Sequence, residues 1–307
     1  MIVTSVVEAG EILGRSDEYP ADRPATMRGA ILVTPHGFRI SAQSASDNHY
    51  MQAGSDLDLE RAHAQHHDVV TTLLRLGVPV TLFAGRDGLD DGIYPNNVFA
   101  TATPQRFIVG AMRHAVRRRE AERADVRSFF ETTLGYEIHD LSRADCVAEL
   151  SGPLVLDRAR GIGFCGVTER VDNAGCSLMH DAFGLRVTWR FVLVPAEYHT
   201  NLVLAVLAGR ACVVHATSLQ DPGAVEVLRS LYGGRILLLN DEEKNHFVGN
   251  CLAVTEKDIL FSRTATRALR SESIGQLRSW GFAVHDVEID ELEKGGGSLR
   301  CLIAEIF

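Results

Sequence analysis

The chain has 307 residues, of which 46% are apolar and 23% are charged, which is enough apolar sequence for a globular core. Its formal net charge of −9 argues against a nucleic-acid partner, because nucleic-acid-binding domains usually present a basic face. No apolar run approaches the roughly 20 residues that a membrane-spanning helix needs. The N-terminal segment lacks the basic start and apolar stretch of a secretory signal, so we expect none.

The cysteines predict a reduced protein. There are six, with no CxxC pair and no zinc-ribbon spacing, so we expect neither a disulfide framework nor a metal site. Half of them lie inside apolar runs, where a free cysteine behaves as a small hydrophobic residue. We therefore expect a cytoplasmic location. The cysteines are Cys146, Cys165, Cys176, Cys212, Cys251 and Cys301.

Residues 1–27 are mixed and polar, and we predict that they form an N-terminal arm. Over residues 28–307, short β-rich runs alternate with helical patterns and no low-complexity linker intervenes, which predicts a single α/β domain. The predicted strands are 30–35, 79–85, 98–103, 106–112, 152–158, 191–195, 202–209, 211–216, 235–240, 251–262 and 301–307. The predicted helices, which have apolar residues at three- and four-residue spacing, are 57–77, 115–135, 223–233 and 266–281.

Five polar residues recur at a nearly constant interval, each at the entrance to a β-run. The intervals between them are 52, 50, 51 and 51 residues. A constant interval of that size predicts a repeated supersecondary unit, here strand–strand–helix–strand. If five such units close around an axis, a nucleophile, a base and a carboxylate meet in one pocket. The five residues are Asn97, Glu149, His199, Asn250 and Cys301.

The motifs around these positions resemble the guanidine-modifying, or pentein, superfamily, and are most similar to its citrulline-utilisation hydrolases and arginine dihydrolases. The resemblance covers nearly the whole chain and is most specific at the C-terminal glycine run followed by cysteine. It implies a five-bladed αβ-propeller of ββαβ repeats with pseudo-fivefold symmetry. The matching segments are VTPHGFRISAQSASDNHYMQ (33–52), YPNNVFAT (94–101), ELSGPLVLDR (149–158), TER (168–170), EYHTNLVL (197–204), NHFVGNCLAV (245–254) and GGGSLRCLIAEI (295–306).

The resemblance also implies a cofactor-free hydrolase of arginine, citrulline or a close relative. Cys301 would attack the guanidinium carbon and form a covalent thiouronium. His199 would protonate the departing ammonia and then activate water, and Glu149 would hold the guanidinium or orient His199. A second cycle on the ureido product would give ornithine, ammonia and carbon dioxide. The expected partner is a small guanidino or ureido amino acid, and a homodimer stays open.

The expected substrate-binding residues depart from the family pattern in part. Many deiminases carry Asp where this chain has Asn97; an amide offers both a donor and an acceptor, so it can also hold a ureido group. Arg170 matches an arginine that relatives use for the substrate α-carboxylate. The family usually reads L-E-G where this chain has Ala148-Glu149-Leu150. The remaining candidates are Asn96, Asn48, Asn250 and Asn201, the last standing where many members have Asp.

Two alternatives to a hydrolase remain at this point. An amidinotransferase uses the same covalent intermediate and passes the amidino group to an amine. A non-catalytic propeller, as in a ribosome-binding translation initiation factor, lacks the catalytic set. Two further segments are interpreted as structural: Arg117–Arg119 as an exposed helix face with ion pairs, and GRDGLDDG (85–92) as a loop without the ligand spacing of an EF-hand.

Overall fold

The computed structural model describes residues 1–14, 18–52 and 54–307. The strands are β1 Ile2–Val3, β2 Gly29–Val33, β3 Val80–Phe83, β4 Phe99–Ala102, β5 Arg106–Val109, β6 Glu137–Asp140, β7 Leu154–Asp157, β8 Ile162–Val167, β9 Val187–Val192, β10 Leu204–Leu207, β11 Ala211–Val214, β12 Ile236–Leu238, β13 Leu252–Ala253, β14 Asp258–Ser262, β15 Ala283–Val287 and β16 Ala304–Ile306. The helices are α1 Val6–Leu13, α2 Leu59–Arg75, α3 Ala115–Ala121, α4 Ala124–Ser128, α5 Asn173–Ala182, α6 Ala224–Leu231, α7 Asp241–Asn245, α8 Arg263–Ala268, α9 Ser271–Ser279, α10 Asp290–Glu293 and α11 Leu299–Leu302.

The described strands form five sheets that share one connection pattern. In each sheet a first strand pairs antiparallel with a second, and the second pairs parallel with a third, as in β4–β5–β6. At least one helix lies between the second and third strands, because a parallel pair needs a crossover connection. The other sheets contain β7–β8–β9, β10–β11–β12, β13–β14–β15 and β16–β2–β3. The predicted strand–strand–helix–strand unit and the α/β class are confirmed.

Apolar clusters pack each sheet against two others. Alternate residues of β2 show this, because successive side chains of a strand point to opposite faces. Leu32 shares a cluster with Leu260 of β14, whereas Ile31 shares another with Phe107 of β5. The inner strands are therefore buried on both faces. β4, β7 and β11 are buried throughout, which explains why the sequence shows them as continuous apolar runs rather than alternating ones.

The first residues of the chain are core structure rather than the polar arm expected for residues 1–27. β1 pairs parallel with β9, and α1 packs against α6. The side chains of Val3, Ala9 and Leu13 are fully buried. Three apolar residues within a polar segment do not stand out in sequence, and the elements that bury them, β9 and α6, lie far along the chain. Part of the expected arm, residues 15–17, lies outside the described residues, and the division into an arm and one domain stays a prediction.

Several predicted elements are divided in the structure. The predicted strand 251–262 is a hairpin of β13 and β14, because Thr255 turns the chain: its Oγ1 accepts from the backbone N–H groups of Lys257 and Asp258. The predicted final strand 301–307 begins as the one-turn helix α11, which holds Cys301, and only β16 is extended. The helices predicted at 115–135 and 266–281 each break in two. Eight further elements were not predicted, namely β1, β6, β8, β15, α1, α5, α7 and α10.

Candidate active site

The five residues at the constant interval come together at the N-terminal ends of the first strands. All five are at least 93% buried. Asn97 donates from Nδ2 to Oε2 of Glu149 at 3.2 Å, and His199 donates from Nε2 to the same oxygen at 2.9 Å. Asn250 lies beside Cys301, with Oδ1 3.6 Å from Sγ. The structure thus brings the five positions of the interval together, and their catalytic roles stay predictions.

Cys301 and His199 line one cavity. Most of the other expected site residues line it too. Glu149 and Asn250 do not; they lie behind the wall and hydrogen-bond to residues that do. The expected residues that line the cavity are Cys301, His199, Asn48, Asn96, Asn97, Arg170 and Asn201.

The imidazole of His199, which donates to Glu149, packs directly against the backbone of Gly152. A Cβ added to Gly152 would lie 2.6 Å from the imidazole, so only glycine leaves room for the ring. Burial lowers the pKa of His199, and the hydrogen bond to Glu149 only partly opposes this. Burial also acts to raise the pKa of Glu149, but the charge of Arg170 and the His199 hydrogen bond outweigh it and hold that pKa well below its ordinary value. The pair therefore consists of a carboxylate and a neutral imidazole near neutral pH.

Cys301 lies in α11, directly after the glycine run. A Cβ added to Gly297 would be 3.0 Å from Cβ and 3.2 Å from Sγ of Cys301. Burial raises the pKa of the thiol above its ordinary value, although hydrogen bonds from Ser298 and Asn250 act in the opposite direction. Near neutral pH, Cys301 is therefore a thiol rather than a thiolate.

Arg170 is buried between two carboxylates. Nη1 donates to both oxygens of Glu149 at 3.1 and 3.3 Å, and Nε donates to Asp47 at 3.1 Å. The guanidinium carbon lies 5.4 Å from the centroid of the Tyr198 ring. The charge that would hold a substrate carboxylate is thus already shared with the protein, and that role of Arg170 stays a prediction.

Arg117 is a site residue that the sequence interpretation missed. The exposed helix face expected for Arg117–Arg119 is correct for the last two residues, but Arg117 is 5% exposed and lines the cavity. It forms a two-point ion pair with Glu120 and donates to Oδ1 of Asn97 at 3.2 Å. A run of three arginines shows which residues are charged, but which one faces inward depends on how α3 packs.

Asp91 is the second residue that was missed. It belongs to the segment GRDGLDDG, which was tested only against the EF-hand pattern. Its carboxylate is 2% exposed, lines the cavity and accepts from Oγ of Ser44 at 2.5 Å. Burial raises its pKa against the opposing charge of Arg117. Its position three residues before Tyr94-Pro95, at the start of a matching motif, was the available signal.

The remaining asparagines brace the site. Asn96 and Asn201 both donate to the carbonyl of Ser151, at 3.3 and 2.8 Å. Asn250 donates in turn to the backbone carbonyl of Asn201 at 2.8 Å. Asn48 donates to the carbonyl of Gly296 at 3.4 Å, which connects the loop around Asn48 to the glycine run 295–297.

Leu150 explains one departure from the family pattern. Its φ is +34°, in the left-handed region that favours glycine, and its side chain is fully buried. The backbone there has the conformation that the glycine of L-E-G would adopt freely. The leucine side chain packs in an apolar cluster with Ala111, Ala148 and Leu154.

Within the described ranges, no helix is long and apolar enough to cross a membrane. The same ranges contain no group of three or more His, Cys, Asp or Glu side chains arranged to hold a metal ion.

Residues 34–307 match the sequence profile of the family described as N,N dimethylarginine dimethylhydrolase, eukaryotic. A similar curated protein is N(G),N(G)-dimethylarginine dimethylaminohydrolase of Mycobacterium tuberculosis, 28% identical over 94% of this chain and 88% of that protein. A similar solved structure is a substrate-bound mutant of the N-terminal domain of ArgZ, an arginine dihydrolase from the ornithine-ammonia cycle in cyanobacteria. It has a TM-score of 0.78 and 17% identity and covers 90% of this chain and 97% of its own. Dimethylarginine dimethylaminohydrolase of Pseudomonas aeruginosa, complexed with citrulline, has a TM-score of 0.69 and 16% identity, covering 92% and 100% of the two chains. At these identities the two structures establish the fold.

Proposed function

The chain belongs to the dimethylarginine dimethylhydrolase family of guanidine-modifying enzymes and is a hydrolase of guanidino carbon–nitrogen bonds, and from this premise we propose that Cys301 is its nucleophile and His199 its acid and base. The observation that carries the proposal is that Cys301 and His199 line one cavity while Glu149 holds the imidazole from behind at 2.9 Å.

The proposed first step forms one bond and breaks one. The thiol of Cys301 gives its proton to the neutral His199 as its sulfur adds to the guanidinium carbon. The C–N bond to the leaving nitrogen then breaks as His199 delivers that proton to the nitrogen. The product is ammonia or an alkylamine and a thiouronium on Cys301. Water then adds to the same carbon, His199 accepts its proton, and the C–S bond breaks to release a ureido product and the thiol.

The charges of the resting site support a nucleophile that is activated by its substrate. Burial leaves both the Cys301 thiol and the His199 imidazole neutral, since it raises the pKa of the first and lowers the pKa of the second. A guanidinium brings a positive charge into this buried site. That charge favours the thiolate at the moment when attack can occur.

The charged groups of the cavity suit an α-amino acid. Asp91 is buried and makes no ion pair within the described part of the chain, so it can receive an ammonium group. Arg117 and Arg170 supply guanidinium groups for the carboxylate, the usual partner of a bidentate arginine. The substrate class that we propose is therefore arginine or an N-methylated arginine.

Asn97 favours continued reaction of the first product. Its amide donates to Glu149 and accepts from Arg117, so the site presents an amide where paired carboxylates would select strictly for a cation. A neutral ureido product can then remain bound. We infer that arginine is converted through bound citrulline to ornithine, ammonia and carbon dioxide, or that added citrulline is itself hydrolysed. The first outcome is that of an arginine dihydrolase, the name given to ArgZ.

The proposed fold is a five-bladed propeller. Its support is that each of the five sheets packs against two others through a shared apolar cluster, and that the residues at the start of each first strand meet in one site. The proposed assembly includes a homodimer, which light scattering on the purified protein tests.

Amino-acid analysis tests the proposed activity. Arginine, N,N-dimethylarginine and citrulline are each incubated with the wild type, with Cys301→Ala and with Cys251→Ala. Cys251 is a buried cysteine that does not line the cavity, so its variant controls for loss of a buried thiol. Cys301→Ala should release no ammonia or amine, and Cys251→Ala should stay active. Wild-type activity in Cys301→Ala would exclude the mechanism, and guanidinated product with added glycine would indicate a transferase.

A further inference from the structure

A second cavity lies among the first strands of four sheets, and none of its lining residues lines the active site. Most of the surface exposed in it is polar, and among the described residues its only charged side chains are those of Arg158, Arg300 and Glu305. The residues that line it are Ala25, Val155, Leu156, Arg158, Val206, Ala208, Gly209, Leu252, Ala253, Arg300 and Glu305.

The charges of this cavity do not balance. Arg300 is 93% buried and donates from Nη2 to Oε2 of Glu305 at 2.9 Å, so the single carboxylate is already used. Arg158 has no carboxylate within ion-pair distance in the described part of the chain; it donates to the carbonyl of Thr101 at 2.8 Å and stacks 4.2 Å from the centroid of the Phe307 ring. Two guanidinium groups thus share one carboxylate, which leaves one positive charge in excess.

Both arginines also have unused donors. Nε of Arg158 and Nε of Arg300 are buried and have no hydrogen-bond partner among the described residues. A buried donor without a partner costs about 1–3 kcal/mol, and more when it carries charge. Burial lowers the pKa of Arg158 to about 10; the charge of Glu305 opposes this shift, and the charge of Arg300 adds to it. Two under-partnered guanidinium groups facing one cavity point to a missing acceptor.

We propose that this cavity binds one small oxyanion, held between the guanidinium groups of Arg158 and Arg300. Carboxylates and phosphates match the planar donor geometry of arginine, whereas the cavity is too small for a nucleotide. The anion replaces the absent second counter-charge and accepts from the unused donors. Glu305 stays paired with Arg300, so the anion compensates the one remaining positive charge.

A titration of stability with inorganic phosphate tests the site. Anything that binds only the folded protein raises the midpoint of thermal unfolding in a saturable way. The midpoint is measured with increasing phosphate, with sodium chloride replaced to keep ionic strength constant, and again with formate as the carboxylate probe. We expect a saturable rise with at least one of the two oxyanions, and calorimetry should give one site per chain.

Arg158→Gln removes the charge and should weaken the apparent affinity at least tenfold. The matched control is Arg210→Gln: Arg210 also stacks on a ring, 4.3 Å from the centroid of Phe282, donates to backbone carbonyls and has an unpartnered Nε, but does not line the cavity. Its variant should keep the response. Should Arg158→Gln fail to fold, Arg158→Lys keeps the charge without the planar fork and should bind several-fold more weakly. No saturable rise with either anion, or an unchanged response in the Arg158 variants, would overturn the proposal.

Discussion

Oε2 of Glu149 accepts hydrogen bonds from both His199, at 2.9 Å, and Arg170, at 3.1 Å, and neither partner is more than 3% exposed. The carboxylate therefore orients the imidazole while a permanent cation keeps it ionised. In the proposed mechanism, His199 transfers protons while its Nε2 is held by Glu149. This relationship sets the first two predictions.

Glu149→Gln should lower kcat by about 100-fold or more with a smaller change in KM. The amide keeps the shape of the side chain but removes the charge that stabilises a protonated His199 in the transition state. Steady-state kinetics on the preferred guanidino substrate measures the effect. Glu169→Gln is the control, because that carboxylate is 66% exposed, and it should retain near wild-type kcat. Equal losses in both variants would contradict an orienting role.

Acid should remove the stability that Glu149 contributes. Its folded pKa lies below its ordinary value of 4.5, so the contribution is complete above about pH 4.5 and is lost as pH falls through the folded pKa. Urea unfolding of the wild type and Glu149→Gln should show a difference in unfolding free energy that shrinks by about 1.4 kcal/mol per pH unit below 4.5. A difference that does not change with pH would show that the carboxylate is not ionised in the fold.

The free enzyme should be alkylated slowly at neutral pH. Burial raises the pKa of Cys301, so the thiolate fraction and the rate with iodoacetamide should keep rising above pH 9. Peptide mass spectrometry assigns the modified cysteine, and Cys301→Ala supplies the background from the other five. A rate that reaches its plateau below pH 8 would mean that the resting nucleophile is already a thiolate.

Asn97→Asp should shift the products toward citrulline. The new carboxylate lies about where Nδ2 now donates to Glu149 at 3.2 Å, so the pair favours a guanidinium and disfavours a neutral ureido group. Amino-acid analysis with arginine as substrate gives the ratio of citrulline to ornithine. Asn97→Ala removes the donor without adding charge and separates the two effects. Stoichiometric citrulline from the wild type, with no ornithine, would show a plain deiminase.

Gly152→Ala should lower kcat because it displaces the imidazole of His199. The added Cβ would lie 2.6 Å from the His199 ring, so the imidazole must move away from Glu149. We expect a loss in kcat of at least tenfold. Gly275→Ala is the matched control, since Gly275 lies in the exposed interior of α9 with no atom within 4 Å of an added Cβ. It should keep full activity and gain about 1 kcal/mol of stability. Unchanged kcat in Gly152→Ala would contradict the need for this His199 position.

The sequence alone predicted the repeated unit and the catalytic candidates because both are local patterns at a fixed interval. Asn97, Glu149, His199, Asn250 and Cys301 each stand at the start of a first strand, and five copies of one unit bring equivalent positions together. The roles of these residues came from the resemblance of their motifs to a known superfamily. Neither inference required knowledge of a distant contact.

Only the tertiary structure decided which other side chains face the site. Arg117 and Arg118 are neighbours in sequence, yet the first is buried beside Asn97 and the second is exposed, because α3 packs with one face inward. Asp91 stood in a loop whose spacing matched no motif, and the burial of α1 depends on contacts with α6 far along the chain. Local periodicity determines secondary structure, whereas the direction of a loop or helix side chain depends on how the units pack, and a single sequence does not encode that as a local pattern.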